Sequence, residues 1–218
     1  GRFHGDNYLE VCSGPSIHGT ISASKYFKNI LMSEFAPQNR AAIRAWLDES
    51  PKAHDWSSFF KTVANFEGEG VTPQSVEQRT RAAIRGIAFC DLTQEEPIDH
   101  EVLFKYGLID VIYSCLTLEA AAETSANYGR ILTKLASYLR PEGGLLLCGM
   151  YNQTFYSVGG NKFHSLSQDE QTIRRLLEAA GFSVVEHFTH SFDHKAITTD
   201  ITCNPSKYFC LVAVKNQE

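Results

Sequence analysis

The segment Asn7-Tyr8-Leu9-Glu10-Val11-Cys12-Ser13-Gly14-Pro15-Ser16 joins a buried-strand run to a tight turn, and the turn enters a helix that starts near Ile17. A strand feeding such a turn leaves backbone N–H groups beside a pocket at the carboxyl edge of a sheet. Glu34 stands twenty residues past Gly14, at the end of a second apolar run, Ile30-Leu31-Met32. A carboxylate at that point is placed to hold the two hydroxyls of a ribose. Taken alone, the motif also suits a plain β–α turn with a surface glutamate. A third strand, Gly86 to Asp91, again ends on an acid. Acids and turns at the ends of successive strands are where a ligand crevice belongs.

The nucleoside can be narrowed by the chemistry of the turn. A dinucleotide needs three glycines for close backbone approach and helix packing. Here Gly14 stands alone, with Cys12 and Ile17 at the other two positions, and Pro15 removes an N–H that a phosphate would use. S-adenosylmethionine carries no phosphate. It asks for a close backbone approach, an acid for the ribose and an aromatic slot for adenine, which Glu34 and Phe35 supply. A nicotinamide-dependent oxidoreductase rests on fold analogy alone.

The elements that must position these residues alternate regularly. A first helix runs Ile17 to Phe27, a strand Asn29 to Glu34, and Pro37 opens a second helix at its favoured first position. Residues 50–85 carry no strand pattern and hold two further helices, an insertion in the second crossover. Strands follow at Gly86 to Asp91, Leu108 to Ser114 and Gly144 to Gly149, with an amphipathic helix from Ala122 to Leu139. Ser167 is expected to cap a helix through Ala180, and Phe182 to Phe192 and Lys207 to Val214 supply the last strands. The pattern is α/β, a mostly parallel sheet covered on both faces.

A chain of 218 residues suits one domain, 1–218. Net charge −5 without a Lys/Arg cluster argues against a nucleic-acid partner. No apolar run reaches the length of a membrane span. Six cysteines without paired spacing read as reduced thiols of a cytoplasmic protein. His187, His190 and His194 do not make a metal site, because i and i+3 on a strand face opposite ways. Arg79, Arg81 and Arg85 read as a solvated helix face.

Leu139-Arg140-Pro141-Glu142-Gly143-Gly144 resembles the turn before the fifth strand of class I methyltransferases. More closely, the chain resembles the nicotinamide, phenylethanolamine and indolethylamine N-methyltransferases. The matches are Ser13-Gly14-Pro15-Ser16-Ile17, Asn39 with Trp46-Leu47, and Ala53-His54-Asp55-Trp56-Ser57 in the insertion. They continue through Cys90-Asp91-Leu92-Thr93-Gln94, Leu116-Thr117-Leu118-Glu119-Ala120 and Tyr156-Ser157-Val158-Gly159. The resemblance implies a Rossmann-like, seven-stranded sheet with a reversed last strand. It assigns the methionine part of the donor to the backbone at Cys12, Ser13 and Gly14, with His18 reaching its carboxylate. Glu34 would hold the ribose, Phe35 stack on adenine, Asn39 add a polar contact, and Asp91 and the Leu92 N–H take the adenine edge. Cys115 and Leu116 would line the methyl-transfer edge, and the spent donor would leave as S-adenosylhomocysteine.

The reaction so implied is in-line displacement at a sulfonium methyl by nitrogen, with no metal. A pyridine-type nitrogen needs no base, whereas an aliphatic amine near pKa ~10.4 must first lose a proton. Glu119 is the implied proton acceptor, and a helix N-terminal position favoured by the dipole is its bland alternative. Asn152, Tyr156 and Ser165 are the further substrate contacts. Nicotinamide-type members carry Asp where Gly149 stands, and amine-type members Glu where Asn152 stands. The acid that catecholamine-type members carry near the last strand falls on Asn204. The substrate expected is therefore a small amine or aromatic N-heterocycle, handled by a monomer. Cys12 at a position usually Gly, Glu34 at one usually Asp, and His18 at one usually Tyr are departures. So is the absence of an N-terminal helical lid from a sequence that opens at Gly1 without Met. These departures motivate a rival reading, a catalytically weak or inactive relative kept for binding or regulation.

Overall fold

The computed structural model describes residue 3, residues 5–191 and residues 207–217. The chain divides into two compact units, residues 1–91 with 96–113, and residues 92–95 with 114–218. The seven-stranded sheet has the order β3-β2-β1-β4-β5-β9-β8, where β1 is Asn7–Val11, β2 Asn29–Glu34, β3 Ile84–Phe89, β4 Ile109–Cys115, β5 Leu139–Tyr151, β8 Phe182–Ser191 and β9 Lys207–Lys215. β1 pairs parallel with β2, and β2 with β3. β9 runs antiparallel to both β5 and β8, so the last strand is reversed.

In the first unit, Leu9, Val11, Ile30 and Met32 are buried from both faces of the sheet, as expected of parallel strands under helices. Helix α1 is only His18–Ala23, shorter than the apolar pattern suggests, because the chain turns at Ser24 with hydrogen bonds back to Thr20 and Ile21. Helix α2 (Pro37–Leu47) opens on its proline and buries Ile43 and Trp46. The insertion forms α3 (Ser57–Glu67) and α4 (Pro73–Ala83). Helix α4 starts with a reciprocal Thr72–Ser75 capping box and a proline in its first turn.

The three arginines read as a wet face are tethers instead. Arg79 grips the Glu67 carboxylate with both Nη atoms and reaches Ser24 Oγ. Arg81 lies 3.9 Å over the Trp46 ring, donates to the Trp46 carbonyl and pairs with Glu77. Arg85, on β3, donates to the Lys28 carbonyl. A planar guanidinium can satisfy carbonyls and cover an aromatic face together, which makes it suited to stitching an insertion to its core. A short helix α5 (His100–Leu103), capped by Asp99, completes this unit.

In the second unit, α6 (Leu118–Ala121) precedes α7 (Ser125–Tyr138), whose Thr124 cap accepts from Asn127 N–H. Ile131, Leu132 and Leu135 of α7 are buried, as are Leu145 and Leu147 of β5. A two-stranded hairpin, β6 (Phe155–Val158) and β7 (Asn161–His164), turns at Gly159-Gly160, both with positive φ. Helix α8 (Glu170–Ala179) is capped by Asp169, which accepts from Thr172 N–H. Ser167 lies outside the helix and does not cap it. An aspartate two positions later is an equally good cap, and its charge also suits the helix dipole.

Candidate functional site

In the first unit the turn after β1 is built by backbone conformations that side chains resist. Gly14 has φ 64° and Cys12 φ 54°. A left-handed residue with a Cβ costs about 1–2 kcal/mol, which explains why glycine is the ordinary choice at both places. A Cβ on Gly14 would meet nothing within 4 Å. Gly14→Ala is therefore expected to cost about 1 kcal/mol through backbone strain alone, read from the urea midpoint at unchanged m-value.

Glu34, 6% exposed, accepts from Gly14 N–H at 2.9 Å, Ala36 N–H at 2.8 Å and Asn39 Nδ2 at 3.0 Å. Its carboxylate thus ties the β1 turn to the start of α2, and Asn39 orients it. A carboxylate has about four lone-pair sites, so three are spent within the protein. Ser13 N–H is also spent, on the Ser33 carbonyl at 3.0 Å. A ribose at this place would share or displace the Gly14 bond.

Phe35 is 56% exposed, and so nearly is Phe89 at 53%; their ring centres lie 5.8 Å apart. Two phenylalanines left in the open at the ends of β2 and β3 form an apolar platform beside Glu34. Phe89 was not singled out from the sequence, though its place just before Cys90-Asp91 was the available signal. Arg40 sits 5.4 Å over the Phe89 ring and donates to the Glu34 and Phe35 carbonyls. Asp91 is half-buried, and its N–H is held by the Pro97 carbonyl at 2.9 Å. His18 is exposed, its Nδ1 against Ser16 Oγ.

Glu10 is a further residue the sequence reading passed over. It is 1% exposed, and a Cβ on Gly19 would stand 2.7 Å from its Oε1 and 2.5 Å from Tyr113 Cε1. Gly19 is the clearance that lets this carboxylate pack against α1.

In the second unit, Leu116 follows β4 with φ 56° and donates its N–H to the Cys148 carbonyl at 2.9 Å. Glu119, 5% exposed, accepts from Met150 N–H at 3.3 Å. Burial pushes its carboxyl up to about 7; the hydrogen bond from Met150 only partly offsets this. A cavity of about 230 Å³ is lined by Leu116, Glu119, Met150, Gln153 and Tyr156, with Ala120 and Ser157. Glu119 is its one ionisable carboxyl. Tyr156 stacks on Phe163, ring centres 5.4 Å apart, which fixes its face.

Two expected contacts fall elsewhere. Asn152 is exposed and does not line the cavity; its φ of 58° breaks the strand alternation, and its N–H goes to the Gln168 carbonyl. The next residue, Gln153, is buried and lines the cavity in its stead. Ser165 is fully buried and donates to Gln153 Oε1 at 3.1 Å, so it positions Gln153 and does not face the cavity. Cys115 Sγ lies 4.0 Å from Tyr208 Oη, and Leu92 is buried. Asn204 and His194 lie outside the described residues. No group of three or more metal-ligating side chains occurs among the described residues. A larger concavity of about 450 Å³ lies beside the insertion, between Trp46 of α2, Asp55, Trp56 and Glu77, and includes none of the candidate donor or substrate residues.

The sheet order, the reversed last strand and the strand-end acids define a Rossmann-like class I methyltransferase fold. Solved structures agree on the fold. A Methanosarcina mazei S-adenosylmethionine-dependent methyltransferase aligns with TM-score 0.60 at 13% identity, over 99% of this chain and 94% of that one. The N-methyltransferase NodS of Bradyrhizobium japonicum, solved with S-adenosylhomocysteine, gives 0.57 at 11% identity, over 97% and 79%.

The chain belongs to the NNMT/PNMT/TEMT family, whose model matches residues 1–216. It is 31% identical to human nicotinamide N-methyltransferase over 83% of this chain and 67% of that protein. Pig phenylethanolamine N-methyltransferase is 31% identical over 84% and 65%, and mouse indolethylamine N-methyltransferase 28% over 85% and 69%. The chain thus spans about two thirds of the length of these relatives. By class it is an S-adenosylmethionine-dependent N-methyltransferase.

Proposed function

We propose that this chain, as one methyltransferase domain, methylates the nitrogen of a small protonated amine, with Glu119 as proton acceptor. The observation that carries this is one buried carboxyl, raised to about 7, on the wall of a small and otherwise uncharged cavity. A primary amine near pKa ~10.4 arrives as an ammonium and has no lone pair to offer. Above pH 7 Glu119 is a carboxylate. It takes the ammonium proton, directly or through one water, and leaves a neutral amine held against Met150, Leu116 and the Tyr156 ring. Gln153, oriented by Ser165, offers a hydrogen bond that sorts substrates by their polar groups.

When bound, the donor supplies an electrophilic methyl on a sulfonium. In this reading Glu34 and Asn39 hold its ribose, the backbone at Cys12, Ser13 and Gly14 with His18 the methionine end, and Phe35 with Phe89 the adenine. Asp91 and the Leu92 N–H take the adenine edge, and Cys115 borders the methyl. The exposed Phe35–Phe89 pair beside a buried carboxylate fits a phosphate-free nucleoside. The same reading has a cytoplasmic monomer working without metal or nucleic acid.

Glu34→Gln tests the donor half. The amide would set an N–H against Gly14 N–H, and S-adenosylhomocysteine affinity by calorimetry is expected to fall at least about tenfold, or 1.4 kcal/mol. Wild-type affinity in the variant would remove Glu34 from the site. Substrate class is read with a panel of labelled-methyl acceptors. Aliphatic amines should depend on Glu119 and pyridine-type nitrogens should not. Binding of S-adenosylhomocysteine without transfer to any acceptor would favour the inactive, binding-protein reading.

A further inference from the structure

We infer that Cys148 and Cys210 form a reversible disulfide that regulates the amine-side cavity. The two residues stand directly opposite one another in the antiparallel β5–β9 pair, and their sulfurs are 2.8 Å apart. That is well inside ordinary sulfur–sulfur contact and about 0.75 Å longer than the about 2.05 Å of a disulfide, so closure asks for a shift of under about 1 Å shared between the two side chains and the two strands. Cys115 also touches Cys148 and is the competing partner, while Cys12 and Cys90, 3.8 Å apart, offer an internal comparison.

The pair is chemically asymmetric. Contact with Cys148 holds the Cys210 thiol below its usual range. Cys148 is pushed up to about 11: hydrogen bonding to Cys115 lowers it, but the Cys210 contact and burial outweigh this. Cys210 is half-buried and Cys148 is buried, so a small oxidant meets Cys210 first. The oxidant required is a low-molecular-weight disulfide of the glutathione type. The Cys210 thiolate attacks it, forming a mixed disulfide and expelling one thiolate, which takes up the proton Cys210 released. Cys148 then loses its proton and attacks Cys210 Sγ, and the second small thiol departs. Two protein thiols are oxidised and one small disulfide is reduced to two thiols.

The consequence for binding runs through the backbone and rests on the function proposed above. The Cys148 carbonyl holds Leu116 N–H, and Met150, two residues on, holds the Glu119 carboxylate. Drawing β5 toward β9 at Cys148 moves both anchors of the cavity wall. A displacement near 1 Å in a positioned site is worth up to about a hundredfold. An increase of about tenfold in amine KM is therefore expected on oxidation, with donor affinity unchanged.

The test equilibrates the reduced protein with reduced and oxidised glutathione, blocks residual thiols by alkylation and maps peptides by mass. Two of the six cysteines should disappear together into one Cys148–Cys210 cross-linked peptide, restored by dithiothreitol. Cys210→Ser should abolish the link and Cys115→Ser should retain it; should either fail to fold, mapping of the wild type still decides. Both thiols remaining alkylatable at every ratio, Cys210 stopping at the mixed disulfide, or linkage to another cysteine each overturns the site. A disulfide that forms without changing amine KM overturns its regulatory role. Absence of methyl transfer by the fully reduced protein would instead count against the proposed function, since the cross-link is read without it.

Discussion

Glu119→Gln is expected to slow methylation of an aliphatic amine by about 10²–10⁴-fold while making the protein more stable at pH 8. Both effects come from one fact, a carboxyl buried against Met150 and raised from 4.5 to about 7. A group whose folded pKa lies above its unfolded one favours folding fully below the unfolded value. That contribution is lost as pH rises through the folded one. At 1.36 kcal/mol per pKa unit, ionised Glu119 costs the fold up to about 3 kcal/mol at pH 8 and nothing at pH 4. Gln is nearly isosteric, keeps an oxygen for Met150 N–H and cannot ionise. Denaturant melts at pH 8 and pH 4 should show the gain at the first and its absence at the second.

The rate should carry the matching signature. Wild-type kcat for an amine is expected to rise as Glu119 deprotonates near pH 7, and that limb should vanish in Glu119→Gln. A pyridine-type acceptor should lose little, because its lone pair needs no base. Equal losses for both acceptors would reduce Glu119 to a positioning group. An unchanged amine rate would sink the base assignment outright. The gain in stability and the loss in rate belong together, since a site that holds an ionisable group dry does so against the fold.

The residues that were legible in the sequence are those whose signal is local. Gly14, Glu34 and Pro37 sit at spacings that a strand, a turn and a helix start impose on neighbours, and in the structure the Glu34 carboxylate ties the Gly14 turn to Ala36, just before Pro37 opens α2. What could not be read depends on partners far along the chain or on one dihedral. Glu10 lies inside an apolar run, and only the space left by Gly19 and the Tyr113 ring shows why it is buried there. Arg79 and Arg81 look like a solvated face until Glu67 and Trp46 are brought to them. The resemblance puts Asn152 in the cavity, but its positive φ turns it outward and Gln153 enters instead. The hairpin of β6 and β7 is short and half-exposed, so neither strand carries the apolar alternation that would announce it.

Gly149→Asp, the change that would supply the acid of nicotinamide-type relatives, is expected to damage this protein severely. The backbone at 149 is not the obstacle; the space is. A Cβ there would stand 2.8 Å from Phe209 Cζ, 3.0 Å from its Cε1 and 3.1 Å from Glu119 Oε1. Phe209 cannot swing aside easily, being 1% exposed and stacked on Tyr151 with ring centres 4.4 Å apart. Overpacking of this kind costs about 1–3 kcal/mol. The new carboxylate would also face Glu119, and two like charges about 4 Å apart repel by about 4 kcal/mol at an effective dielectric of 20. Gly149→Ala separates the two terms, since it brings the Cβ without the charge. Urea midpoints at pH 8 should fall in the order wild type, Gly149→Ala, Gly149→Asp, and the gap between the variants should narrow at pH 4, where both carboxyls are neutral. Adding Glu119→Gln to Gly149→Asp should recover most of the electrostatic part and none of the steric part. A Gly149→Asp protein as stable as wild type at pH 8 would mean that Phe209 and Glu119 do not fill that space. The position of the single acid in the amine cavity would then have to be assigned afresh.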